Sequence, residues 1–264
     1  MRSTRVAPYP ALLMGAVLVG ALLLSACGTT TASDRTTPPR DGACRNLRTA
    51  QLTQHTDDTP ARSCTRAHTA QTYVVGSFPA SVGGGYRSRA AVAYVYRTCR
   101  KGFLDELDID DALALRVDLS WVWFGPSHKG WDAGARWFRC DIVGGADDDT
   151  RLRPLPARLG TLFHGLPPDT WMRCRSGDDF TRATPVPCSA PHTWRAVSAI
   201  KLGDADDPYP GDHFSQVRAR DYCADAVIAW LDYPPTYAYG YTTFHRAEWE
   251  AGNRRALCWA GTTR

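Results

Sequence analysis

Two stretches of the chain set apolar side chains at helical spacing. Residues 88–107 carry Val92, Val95, Tyr96, Cys99, Phe103 and Leu107, and residues 212–231 carry Phe214, Val217, Cys223, Val227, Trp230 and Leu231. Positions three and four apart share one face of an α-helix, so each stretch predicts an amphipathic helix with its cysteine on the buried side. Ser88 and Asp212 each stand eleven residues before that cysteine, where a short side-chain oxygen can accept from an unpaired first-turn amide and cap the helix. The period then drops to two. Leu115, Val117, Leu119, Trp121 and Trp123 alternate with Arg116, Asp118, Ser120 and Val122, and Tyr237, Tyr239 and Tyr241 repeat the alternation, which predicts a half-buried strand after each helix. Phe138, Cys140 and Ile142 predict a final strand, matched by the residues around Cys258. The β-branched and aromatic runs 68–75 and 192–200 predict a first strand. Each series reads strand, helix, strand, strand. The expected fold class is α+β: two tandem repeats, each a small antiparallel sheet with one packed helix.

The repeat is also written in particular residues. Cys64-x3-His68-Thr69 recurs 124 positions later as Cys188-x3-His192-Thr193, and the same offset relates Cys99 to Cys223. An offset of 118 relates Trp131-x2-Gly134-x-Arg136-x3-Cys140 to Trp249-x2-Gly252-x-Arg254-x3-Cys258. Four landmarks in one order at nearly one spacing point to two copies of a single unit. We expect the copies at 42–145 and 166–264, joined by a charged, proline-bearing connector at 146–165.

Ahead of the first copy, residues 1–26 have a basic start (Arg2, Arg5), an apolar run from Ala11 to Leu24, and small residues before Cys27. The run is short for a membrane span and has the layout of a secretory signal. Leu24-Ser25-Ala26-Cys27 resembles the bacterial lipobox, which implies a lipid-modified Cys27 as mature N-terminus, with the rest of the chain at the cell membrane on its extracytoplasmic side. Residues 27–41 lack large apolar side chains and are expected to be a flexible tether. The full chain has 264 residues, 44% hydrophobic and 22% charged, with a formal net charge of +4. That balance suits a folded protein and gives no basic field for nucleic acid.

Of the nine cysteines, Cys27 is assigned to lipid, and the repeat divides the others into Cys44, Cys64, Cys99, Cys140 and Cys174, Cys188, Cys223, Cys258. An even number per copy in an exported chain implies disulfides. A helix packed on the sheet brings its cysteine to the inward cysteine of the last strand, which favours Cys99–Cys140 and Cys223–Cys258. Cys44–Cys64 and Cys174–Cys188 then close short loops. Zinc on Cys-x3-His is the rival reading, and it lacks the close Cys-x2-Cys pairing of common structural sites.

The sequence carries no catalytic or nucleotide-binding signature of the Gly-x-Ser-x-Gly, His-Glu-x-x-His, Gly-x4-Gly-Lys or Gly-x-Gly-x-x-Gly type. Asp204-Ala205-Asp206-Asp207 with Asp212 offers oxygen ligands but not in the EF-hand order, so no metal or cofactor is expected. Both copies keep one histidine, His68 and His192, which we expect to bond backbone at the mouth of a strand. Trp131, Arg136, Trp249 and Arg254 are the candidate ligand contacts, tryptophan as a stacking surface and arginine as an anion clamp. The alternative is an envelope hydrolase using His68 or His192 with a carboxylate such as Asp178 or Asp225.

Cys-x3-His-Thr, a cysteine-bearing helix and Trp-x2-Gly-x-Arg-x3-Cys, twice over behind a lipobox, resemble the septum formation family of actinobacterial envelope proteins. Pro191-His192-Thr193 fits the family's Pro-His motif, whereas the first copy departs from it with Ala67 before His68. The resemblance covers nearly the whole mature chain. It implies a link to cell division and no known enzyme activity or catalytic residues. The expected protein is therefore a lipid-anchored, non-catalytic binding or structural module with a divisome or cell-wall partner.

Overall fold

Ser88 starts the first long helix as expected: its hydroxyl accepts from the amide of Ala91, and α1 runs over Arg89–Leu107. Its counterpart α4 covers Asp212–Trp230. The computed structural model describes residues 31–82, 85–145 and 151–262. Residues from Thr31 onward form one compact unit, and among the described residues no helix is long and apolar enough to cross a membrane. Cys27 and the segment 1–26 lie outside the described residues.

In the first half, β1 (Cys44–Arg45), β2 (Ala70–Ser77), β3 (Leu119–Phe124) and β4 (Trp137–Gly144) form an antiparallel sheet in the order β1-β2-β4-β3. The short helices α2 (Asp111–Arg116) and α3 (His128–Asp132) flank β3. In the second half, β5 (Arg173–Ser176), β6 (Thr184–Pro187), β7 (Trp194–Lys201), β8 (Tyr239–Thr242) and β9 (Arg255–Gly261) take the order β6-β5-β7-β9-β8, with α5 (Arg246–Glu250) before β9. The likeness extends to a defect. The β2–β4 register shifts between Thr72 and Val74, and the β7–β9 register shifts between Ala196 and Ser198, at the same offset of 124. An extra residue there kinks both strands alike.

Each long helix covers one face of its sheet; in α1 the pattern's Val95, Cys99, Phe103 and Leu107 are buried, whereas in α4 only Cys223 and Val227 of the expected set are, Phe214 and Trp230 being exposed and Ser215 and Ala219 taking the buried face. Val95 and Cys99 meet Phe138 and Cys140; Cys223 and Val227 meet Val197, Cys258 and Ala260. Four disulfides, each within one half, join Cys44–Cys64, Cys99–Cys140, Cys174–Cys188 and Cys223–Cys258, the pairs that the packing argument selects.

Three local expectations need correction. Leu115 and Arg116 belong to α2 rather than to a strand: the Asp110 carboxylate accepts from the amide of Leu113 and starts a helical turn, so β3 begins only at Leu119. The Ala112-Leu113-Ala114-Leu115 alternation suits either element, and the cap decides. Asp212 is the first residue of α4 and not its cap, a place taken by Gly211 at φ +99°. The stretch expected as a tether is, from Thr31 on, bonded to the fold. The Ser33 amide donates to Asp58 at 2.6 Å, Asp34 accepts from the Ser127 hydroxyl at 2.6 Å and from the Lys129 ammonium at 2.9 Å, and the Trp137 indole donates to the Arg35 carbonyl at 2.8 Å. Polar bonds to distant side chains order this segment in place of apolar burial.

The opposite faces of the two sheets diverge. Arg139, 2% exposed, bonds Asp57 and Asp141, Asp141 accepts from Thr72, and Arg45 donates to Thr72. At the same offsets the second half has Leu257, Trp259 and Ala196, an apolar surface against which Ala112 and Leu115 of α2 pack. Helix α2, which has no twin between α4 and β8, thus reaches from one half to cover the other. Val117 bridges Met172, the Asp118 amide donates to the Trp171 carbonyl at 2.7 Å, and a core of Phe103, Leu107, Val117, Leu119 and Ile142 continues into Leu155, Leu159, Phe163, Trp171 and Met172. A cluster of this size removes enough apolar surface from water to bind the halves into one body.

Candidate functional site

The two histidines that both copies keep lie at the mouths of β2 and β7, 1% and 2% exposed. Nδ1 of His68 is 2.9 Å from the Arg66 carbonyl, and Nδ1 of His192 is 2.8 Å from the Ala190 carbonyl. A carbonyl only accepts, so each Nδ1 carries a proton and donates it. Both Nε2 atoms are buried without a hydrogen-bond partner. Neither imidazole has a carboxylate as hydrogen-bond partner among the described residues, and Asp178 and Asp225 are exposed. His192 has a ring nitrogen within 4.8 Å of the sulfurs of Cys174 and Cys188. Those sulfurs form a disulfide and present no thiolate to a metal.

The Trp-x2-Gly-x-Arg stretches share one backbone turn. Gly134 at φ +98° and Gly252 at φ +107° occupy the left-handed region that glycine enters without strain. Their amides donate to the carbonyls of Trp131 and Trp249, each at 2.9 Å, and close α3 and α5. The chain then doubles back and stacks arginine on tryptophan: the guanidinium carbon of Arg136 lies 3.8 Å from the Trp131 ring centroid, and that of Arg254 lies 4.7 Å from Trp249. Arg136 donates to the Trp131 and Ala135 carbonyls; Arg254 donates to those of Asp204 and Ala205. Trp131 is half-buried against Phe78 and Tyr86, and Trp249 is 3% exposed with its indole N–H on the Asp207 carbonyl. The acidic loop is similarly engaged. Asp204 pairs with Lys201, Asp207 accepts from the Asp204 amide, and Asp212 accepts from Tyr209 and His245.

A cleft of about 570 Å³ opens where the halves meet. Tyr96, Arg100 and Phe103 of α1, Asp111, Ala114 and Leu115 of α2, and Leu119–Trp121 of β3 line it from the first half. Arg173, Lys201, Phe244, Glu248, Arg254 and Arg255 line it from the second. Five cations therefore face two carboxylates. Arg100 pairs with Asp111, while Arg254 and Arg255 are held by backbone carbonyls, which fix a guanidinium without neutralising it. Tyr96 stands edge-on to Trp121 with ring centroids 5.0 Å apart, and burial pushes its hydroxyl pKa up. A smaller pocket of about 260 Å³ shares Arg173 and Phe244 and adds Arg153 and Arg175. Of the four candidate contacts, Arg254 alone lines the cleft. Arg100, Arg173, Lys201, Arg255 and Phe244 belong to no motif, and only the docking of the halves brings them together.

Fold and cleft define an α+β protein of two disulfide-stapled halves built around one shared, cationic and aromatic groove. The septum formation family model matches residues 110–258, and the chain belongs to the septum formation family. The match runs from α2 into β9, so it includes the second-half wall of the cleft and, from the first half, the residues of α2 and β3 but not Tyr96, Arg100 and Phe103 of α1. No curated protein and no solved structure matches the chain.

Proposed function

We propose that the protein is a lipid-anchored, extracytoplasmic, non-catalytic binding protein acting in septum formation. The observation that carries this reading is the division of labour among the side chains. The repeated histidines, Trp131, Trp249 and Arg136 are spent inside each half, whereas the concave surface is built jointly and lined by aromatic and cationic groups, Arg254 among them, suited to holding a ligand. Four disulfides favour an oxidising compartment, and Leu24-Ser25-Ala26-Cys27 supports the lipid anchor. Catalysis by His68 or His192 has less support, because burial keeps both imidazoles from a substrate and, among the described residues, no carboxylate orients them.

The test is complementation of a chromosomal deletion by chains carrying Ser120→Trp, which fills the cleft, or Cys27→Ser, which removes the acylation site. Both are expected to lose septation function, the first with unchanged melting temperature and the second with loss of membrane retention. A cleft-filled chain that restores septation in full would sink the reading.

A further inference from the structure

The four sheet edges are unequal. β1 is two residues long, β6 (Thr184-Pro185-Val186-Pro187) carries two prolines that cannot donate to a ladder, and β8 has four residues. β3 is six residues long, Leu-Ser-Trp-Val-Trp-Phe, without charge or proline. It pairs with β4 on one side, and among the described residues nothing is hydrogen-bonded to its other side. A long, uncharged edge strand is a template for an added strand, which is why proteins ordinarily shorten, charge or cover such edges. The unblunted edge is the one at the cleft, since Leu119, Ser120 and Trp121 line it.

The second observation is charge. The cleft lining holds five cations against two carboxylates, and with Asp204 paired to Lys201 beside it an excess of two cations remains. Arg254 has its Nε and Nη2 on the Asp204 and Ala205 carbonyls, while Nη1 is buried without a hydrogen-bond partner. Arg255 is anchored through Nη1 to the Ala199 carbonyl at 3.3 Å. Guanidinium groups fixed in this way suit carboxylates, which they bond with charge assistance.

We propose that the cleft takes an extended acidic peptide segment of a partner protein, which adds as a strand to the free edge of β3 and sets its carboxylates among Lys201, Arg254 and Arg255. Main-chain bonds to β3 supply affinity, and the cations together with the Tyr96–Trp121 pair select the side chains. This rests on the binding-module reading above and names its ligand.

The test uses the full-length chain and a capped synthetic hexapeptide alternating glutamate and valine. Saturable binding that weakens with salt is expected, with slowed hydrogen exchange at the β3 amides in the bound state. The double variant Lys201→Gln, Arg255→Gln, checked for unchanged melting, should lose about tenfold or more in affinity. The same peptide methylated at alternate amide nitrogens should not bind. Equal binding by the methylated peptide, or binding without β3 protection, overturns strand addition. Binding of polyglycerol phosphate in place of the peptide assigns the cleft to an anionic polymer and overturns the peptide inference while leaving the module reading intact. If neither probe binds, the inference fails; the Ser120→Trp chain then decides the module reading, which stands if septation is lost and falls if it is kept.

Discussion

His192 donates from Nδ1 to the Ala190 carbonyl two residues back, at 2.8 Å, and His68 makes the same bond to Arg66 at 2.9 Å. The imidazole thereby locks the turn that feeds β7, and the turn carries Cys188 of the Cys174–Cys188 disulfide. An asparagine amide can donate to the same carbonyl; alanine leaves it unsatisfied.

His192→Ala is therefore expected to lose about 1–3 kcal/mol in denaturant unfolding, and His192→Asn distinctly less. If the asparagine variant unfolds like the parent yet gives the full deletion phenotype, the histidine has a chemical task and the architectural assignment is wrong.

The disulfides should differ in what they contribute. Cys99–Cys140 closes 41 residues and Cys174–Cys188 closes 14. The longer loop restrains the unfolded chain more, so paired alanine substitutions should cost about 4 kcal/mol for the first bridge and about 3 for the second. Non-reducing peptide mapping should recover four bonds within halves. A Cys44–Cys174 link would contradict the repeat.

Much of each half was legible because the same constraints are written twice. Cysteines, histidines and the Trp-x2-Gly-x-Arg stretch recur in order, and helical and alternating periods between them place α1, α4 and the central strands. What was not legible depends on distant partners. α2 hides in an alanine–leucine alternation that either element accepts, and its purpose, covering Trp194 and Trp259, lies in the other half. The order in Thr31–Arg35 comes from Asp58, Ser127 and Lys129, to which no local pattern points. The cleft follows from how two units dock, and duplication says nothing about docking.

Two ionisable side chains join the start of α4 to α5. Nδ1 of His245 lies 3.1 Å from Asp212, raising the histidine pKa above its ordinary 6.5; bonds from Tyr209 and His245 lower that of Asp212 below its ordinary 3.8. A raised histidine contributes stability that is complete below 6.5 and fades as pH climbs through the folded value. A lowered carboxylate contributes stability that is complete above 3.8 and fades as pH falls through the folded value. The difference in melting temperature between the parent and Asp212→Asn should thus plateau between those limits and shrink on either side. A difference that grows steadily into alkaline pH would rule the pair out as its source.

The two sheets offer a natural experiment in burying charge. Arg139 sits 3% exposed at its side chain between Asp57 and Asp141, which are 2% and 0% exposed, with its guanidinium carbon 4.7 Å from the Phe124 ring. The second-half positions equivalent to Arg139 and Asp141 are Leu257 and Trp259, so this sheet framework accepts apolar side chains at those two places. Taking charges out of water is costly, and attraction within the pair offsets that cost only while every member is present. Arg139→Leu alone strands two carboxylates in the interior and should lose about 3–5 kcal/mol. Adding Asp57→Leu, Asp141→Leu and Arg45→Leu, since Arg45 is buried beside the same carboxylates, removes the stranded charges, and the quadruple variant should regain most of that loss in urea unfolding. If the quadruple variant is instead less stable than Arg139→Leu, the network contributes more than its desolvation costs, and the apolar face of the second half is no guide to the first.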